Sequence, residues 1–555
     1  MKAILRVGML AWLGGVAVMP LSCGSDAGGG GTSNANGGSG ADDGAGGGGA
    51  TLNLGGALVP GSSGAAGSGA PVCPPYHAMC DGKCIPTSVD PNNCGSCGKV
   101  CSGDQVCSAG QCDSECLPGL AACENSCVDL DNDSAHCGDC ETACEDGKGC
   151  ANGRCVDLVP VGTSPRKCVD GGPPIGVGEG PLECLGTLAQ TTFRWSLCSC
   201  TDLNVSAALR TDAYDSIQGP YKPGQLGGGV GVDRNVTNWS EAVTVGGTLW
   251  VAGVDEYSSS GPPSHVKSDL HLGGSWKAST DFTVDGPAYV VGKLSGVTVA
   301  GATTSVASVP PACDCAEQKL VPIAAIVAQH SGTNNDNAAI NLDETALADP
   351  GSAVRLDLPC GNYYFSAITS SLALTVHVHG RTALYVAGDV EASAALAFVL
   401  DPNAELDLFV AGTLHVSDTF VFGSPNYPAL SRAYIAGTAK LALSSDVRLA
   451  GQLYAPHSQE VVWSAKNAIY GSVFAGNFRS SDVTDIHYDR GVLRAGDDCP
   501  PGGAGGAGGN ECGSCEDCHN QACIHGQCGD CGSDDDCCSP LICIEGSCVP
   551  RVVVK

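Results

Sequence analysis

Sixteen cysteines dictate what the first folded part of this chain can be. Cys73, Cys80, Cys84, Cys94, Cys97, Cys101, Cys107 and Cys112 are followed by Cys116, Cys123, Cys127, Cys137, Cys140, Cys144, Cys150 and Cys155, each 43 residues after its counterpart. Eight coincidences at one period define a tandem repeat, over 73–112 and 116–155. Other residues match at the same offset: Asp90 with Asp133, Gly95 with Gly138, Gly110 with Gly153. Neither unit has enough large apolar residues to fold on a hydrophobic core, so cross-links must hold it. The Cys-x2-Cys spacing would also suit zinc. The redox setting decides between the two.

That setting is read from the N-terminus. Lys2 and Arg6 precede an apolar stretch from Val7 to Leu21, too short for a spanning helix, and residues 1–22 read as a signal peptide. The stretch ends in Pro20-Leu21-Ser22-Cys23-Gly24. This resembles a bacterial lipobox, with Pro20 where Leu is usual, and the resemblance implies lipidation of Cys23. Setting Cys23 aside leaves 34 of the 35 cysteines, an even number. An exported chain favours disulfides over zinc, so all sixteen repeat cysteines are expected to pair. Eight cysteines allow 105 connectivities, and the spacing assigns none. Residues 23–72 are Gly-rich with no Lys or Arg, and read as a lipid-anchored linker spanning ~35–40 Å root-mean-square. No other segment has 18 consecutive apolar residues, so no transmembrane helix is expected.

The string Cys94-Gly-Ser-Cys97-Gly-Lys-Val-Cys101, with Cys107 and Cys112, resembles the stigma-specific cysteine-rich protein family, and Cys137 through Cys155 repeats it. The motif contains no catalytic residue. The acidic loops Asp90-Pro-Asn-Asn93 and Asp131-Asn-Asp133 occupy the same place in both units. Their oxygens would suit Ca²⁺ at Asp90 and Asp133; turn formation by Asp and Asn is the other reading.

From about residue 205 the texture changes to short alternating strands, within a β-rich domain placed at 165–499. In Ser371–Gly380, Leu372, Leu374, Val376 and Val378 share one face, and Thr375, His377 and His379 the other. A pentapeptide ending in Ala-Gly recurs, as in Leu249–Gly253, Val297–Gly301, Leu384–Gly388, Leu408–Gly412, Ala433–Gly437, Val447–Gly451 and, one residue longer, Gly471–Gly476. Repeated strands ended by small residues at about one coil of spacing predict a mostly β, solenoid-like fold flanked by small disulfide-rich modules and Gly-rich linkers. A β-sandwich uses the same short strands. A helix is predicted over Val321–His330. The runs Asn335–Asn337, Leu358–Tyr364, Gly380–Asp389, Leu406–Gly412, Leu453–Pro456 and Ile486–Asp489 resemble a domain of unknown function found in pilus-associated PilX-like proteins and myxobacterial lipoproteins, and the earlier half resembles bactofilin coils. The resemblance implies a surface or scaffold role without an established reaction.

The net charge of −31 argues against nucleic acid as a partner. Candidate carboxylates on outward strand positions are Asp389, Glu405, Asp407 and Asp489. His377 and His379, ~7 Å apart on one strand face, could join Asp389 as a metal site or acid–base pair; a solvated strand face is the competing reading. No nucleophile elbow, H-E-x-x-H or dinucleotide fingerprint is present. After a linker at 500–510, ten cysteines in 511–550 resemble small extracellular knots of the dickkopf or colipase type, which bind proteins. Cys360 and Cys499 are expected to pair, closing the β domain. The reading is an exported, lipid-anchored, non-enzymatic protein of the cell envelope, at the outer membrane surface or outside it. It would act as a scaffold, adhesin or envelope-interaction protein, partnered by the membrane through its lipid and by polysaccharide or surface proteins. No cofactor other than Ca²⁺ is expected. The alternative is a carbohydrate-active β-helix enzyme, a polysaccharide lyase or hydrolase.

Overall fold

A computed structural model describes residues 77–161 and 183–494, apart from a few positions within them, together with 176–177 and short strands between 522 and 550. Cys23, Cys73 and Cys499 lie outside the described residues. Among these residues no helix is long and apolar enough to cross a membrane.

The two cysteine repeats share one pairing scheme. In the second, Cys116 joins Cys127, Cys123 joins Cys140, Cys137 joins Cys150 and Cys144 joins Cys155. In the first, Cys80–Cys97, Cys94–Cys107 and Cys101–Cys112 occupy the equivalent places. Each unit surrounds its sulfurs with two-stranded hairpins rather than an apolar core: Cys94, Cys107, Cys127 and Cys150 are almost fully buried.

The remainder is a parallel β-solenoid, and the mostly β reading holds. Each full coil contributes three short strands to three walls. On one wall the inward residues Leu197, Val230, Leu249 and Leu270 stack in register, and all are fully buried. Inward Val and Leu at period two bury completely, worth ~1.5–3 kcal/mol each, and every coil supplies the apolar floor of the next.

The order of coils along the stack differs from their order in the sequence. The chain enters in the middle, at strands Leu197–Ser199, Leu203–Val205 and Leu209–Tyr214. It runs to one end at Thr303–Ser305, crosses back, and restarts at the other end with Val354–Leu358. The final strands then return to the middle. Ile469–Ala475, Phe478–Ser480 and Thr484–Asp489 pair with the three entry strands, as Leu197 with Val473, Leu203 with Phe478 and Leu209 with Thr484. The two sequence blocks are thus halves of one stack joined at a seam. The crossover is tied down by Cys198–Cys313 and Cys200–Cys315.

Ala-Gly repeats mark corners where coils touch. A Cβ at Gly412 would lie 2.5 Å from the Gly388 carbonyl oxygen, and one at Gly437 2.5 Å from that of Gly412. Only glycine fits such a ladder. Val447–Gly451 is the exception: Gly451 lies inside the strand Val447–Ala455, which bends there to change wall, so this copy of the pattern does not end a strand.

The outward face of one wall carries a ladder of rings, Tyr385, Phe409, Tyr434, Tyr454 and Phe474, with neighbouring centroids 4.6–5.9 Å apart. Two helices are part of the same cluster, α1 (Leu185–Thr192) and α2 (Ile323–Gln329). The latter is the helix anticipated at 321–330; it follows Pro322 and gives way to a turn in which Gly332 has φ +66°.

Cysteine repeat 2 caps the restart end of the stack. Its last strand, Arg154–Leu158, lies parallel to Val354–Leu358, and Val159 N–H donates to the Arg355 carbonyl at 2.8 Å. An exposed solenoid end is a row of unpaired backbone groups, and this hairpin covers it. Cys360, one turn further on, is disulfide-bonded.

Candidate functional site

Strand Leu374–Val378 places His377 outward one coil beyond Asp357, its register partner. His379 follows on the same side, and Asp401 comes after the next coil's strand, Leu396–Leu400. The four converge. Asp401 Oδ1 lies 2.9 Å from His377 Nε2 and its Oδ2 2.7 Å from His379 Nδ1. Asp357 Oδ1 lies 3.3 Å from His379 Nε2 and 3.7 Å from His377 Nδ1. Arg355 joins from the adjacent strand position: its Nε donates to Asp357 at 2.7 Å and its NH2 to His377 Nδ1. The same guanidinium's NH1 donates to the carbonyls of Asn132 and Cys150 in repeat 2, at 2.6 and 2.7 Å.

These contacts set the protonation states. Burial opposes charge on His379, but hydrogen bonds to Asp357 and Asp401 outweigh it and push the ring up to about 9. Asp357 would be raised by burial, yet His379 and Arg355 bring it down to about 2. Asp401 is held well below the carboxylate range by the two histidines, against its burial. His377 is pushed down by burial and by the charge on His379, which outweigh its bond to Asp401. It therefore accepts from Arg355 at Nδ1 and donates to Asp401 from Nε2. Beside this network lies a cavity of about 710 Å³ between repeat 2 and the solenoid, whose lining includes Asp131, His377, Asp401, Tyr427, Arg448 and Tyr470.

The outward strand face expected to be solvated is instead covered: Thr375 is fully buried and His377 nearly so, beneath repeat 2. Leu372 falls outside the strand and is exposed. Asp389, expected to join the histidines, does not. It sits at a corner and accepts from Thr413 N–H and Oγ at 2.7 and 2.9 Å. Asp407 and Asp489 point out of their coils as expected, but other segments cover them completely. Asp407 binds the fully buried Arg432 through both oxygens, at 2.7 and 2.6 Å, and Glu405 completes the group at 2.9 Å. Asp489 accepts from Ser216 N–H and Oγ, Ala429 N–H and Gly491 N–H, all within 2.6–2.9 Å. These carboxylates fasten loops. Asp90 and Asp133 each cap a turn, accepting from the backbone N–H two residues on and contacting the side chain three residues on.

Asp357, Asp401 and Arg355 were missing from the sequence-based candidates. The signal that finds them is coil length. Gly388, Gly412 and Gly437 are 24 and 25 residues apart, and a coil a little shorter than that puts Asp357 20 residues before His377 and Asp401 22 after His379.

Two family models match parts of the chain. A domain of unknown function, DUF7305, covers residues 316–494, and the stigma-specific STIG1-like protein family covers 61–115. No curated protein and no solved structure matches. The first match begins within the crossover, although residues 197–305 continue the same solenoid.

Proposed function

We propose that this is an exported, lipid-anchored surface protein of the cell envelope, working as a rigid scaffold or adhesive rod rather than as an enzyme. The observation that supports it most is the joined stack: a solenoid whose chain ends meet at mid-length, stapled by disulfides and capped by a cross-linked repeat. Such a body keeps its shape outside the cell, where thiols oxidise. A Gly-rich tether to a lipid would hold it at the surface while leaving it free to orient. The likeness to envelope lipoproteins and bactofilin coils belongs to this same reading.

The carbohydrate-active alternative needs one carboxyl group kept protonated as general acid. Asp357 and Asp401 do converge, but both are held ionised, Asp357 by His379 and Arg355 and Asp401 by His377 and His379. That favours binding over glycosidic cleavage. Fractionating cells that express Cys23→Ala tests the anchor. The variant should move from membrane to soluble fractions while remaining disulfide-bonded; unchanged membrane association would contradict the proposal.

A further inference from the structure

We propose that His377, His379 and Asp357 bind a divalent transition-metal ion of the zinc and cobalt class at the junction of cysteine repeat 2 and the solenoid. One donor atom from each of the three lies within 4.8 Å of the others. The donors facing one another are His377 Nδ1, His379 Nε2 and Asp357 Oδ1, with 3.7 and 3.3 Å from the carboxylate to the two nitrogens. Two imidazoles and one carboxylate suit zinc, cobalt or nickel, whereas calcium and magnesium take oxygen.

The second observation is what stands behind the donors. Asp401 spends one oxygen on His377 Nε2 and the other on His379 Nδ1, at 2.9 and 2.7 Å. Metal-binding histidines characteristically donate their remote N–H to a carboxylate, which fixes the tautomer and aims the other nitrogen at the ion. Here one carboxylate aims both rings at the same point. Three protein donors leave coordination positions for water or an added ligand, as in sites that act on a ligand rather than closed structural ones. Asp357, Asp401 and His379 are each about one-third exposed, so the ion can enter from solvent.

A cation already stands on two of these atoms. The Arg355 guanidinium donates to Asp357 Oδ1 and His377 Nδ1. A metal would displace those two bonds, while the NH1 group keeps its bonds to repeat 2. Arg355 is thus a competitor whose removal should tighten metal binding.

The test uses the full-length chain with its disulfides intact, stripped by a chelator and titrated with Co²⁺ by calorimetry and visible absorption. One Co²⁺ per chain should bind and be displaced by Zn²⁺. His377→Gln and His379→Gln should each weaken binding strongly, Asp401→Asn by about 10–100-fold, and Arg355→Met should strengthen it. Absence of stoichiometric Co²⁺ binding would overturn the proposal. So would binding that survives His377→Gln/His379→Gln, since the ion would then sit on others of the 12 histidines. If the histidine variants do not fold, Asp401→Asn and Arg355→Met decide: opposite shifts support the site, and no shift in either rejects it.

Discussion

At the residue scale, buried polar side chains in this solenoid are either tightly paired or held neutral. His271 is the clearest neutral case. It is fully buried between Trp250 and Tyr289, with ring centroids 4.0 and 4.7 Å away, and neither ring nitrogen has a hydrogen-bond partner among the described residues. Burial pushes its pKa down to about 3. An unfolded histidine titrates near 6.5, so below that pH the unfolded chain binds a proton that the folded chain refuses. Stability contributed by neutral His271 is therefore present above about 6.5 and is lost as pH falls towards 3, at up to about 1.4 kcal/mol per pH unit. Asp233, pushed up by burial to about 6, works in the opposite direction over part of that range. The comparison that isolates His271 is thus wild type against His271→Phe, by chemical denaturation at several pH values. The variant should lose less stability on acidification; parallel curves would contradict the account.

At the scale of elements, the crossover shows how disulfides share work. Cys198–Cys313 and Cys200–Cys315 each close a loop of 115 residues, two positions apart. Either bond alone restricts the unfolded chain by about 5 kcal/mol, and once one is present the other closes only a small ring, worth about 2 kcal/mol. Replacing one pair by alanine should cost about 2 kcal/mol and replacing both about 7. Equal costs for the first and second removal, measured by denaturant unfolding, would show that the bonds act independently. The strands and the helix at Ile323–Gln329 were legible in the sequence because alternation and the flanking Pro and Gly are local signals. The cover over Asp407, Asp489 and Thr375 was not. Alternation tells which side of a strand faces the coil interior, but not whether another element lies on the opposite side. The metal cluster was half legible for the same reason: His377 and His379 are neighbours in one strand, whereas Asp357 and Asp401 arrive from other coils.

At the scale of the whole molecule, coil order is the feature that sequence position conceals most. The sequence reads as one β-rich domain with a helix-bearing junction between two halves, but nothing in it shows where the halves meet, and DUF7305 covers the second half and most of the crossover. Parallel pairing joins them because each block leaves an unpaired edge that the other satisfies. The seam is where this account is most exposed. Arg210 and Asp485 face each other across it as register partners, bonded at 2.5 and 2.9 Å though 275 residues apart in sequence. Both are accessible at the surface. The direct measurement is to make Arg210→Cys/Asp485→Cys, treat the folded protein with a short bismaleimide, and map the peptides without reduction. A single intramolecular link between positions 210 and 485 is predicted. Two thiols that label separately and never cross-link would mean that the blocks are separate bodies, and the joined stack would be wrong.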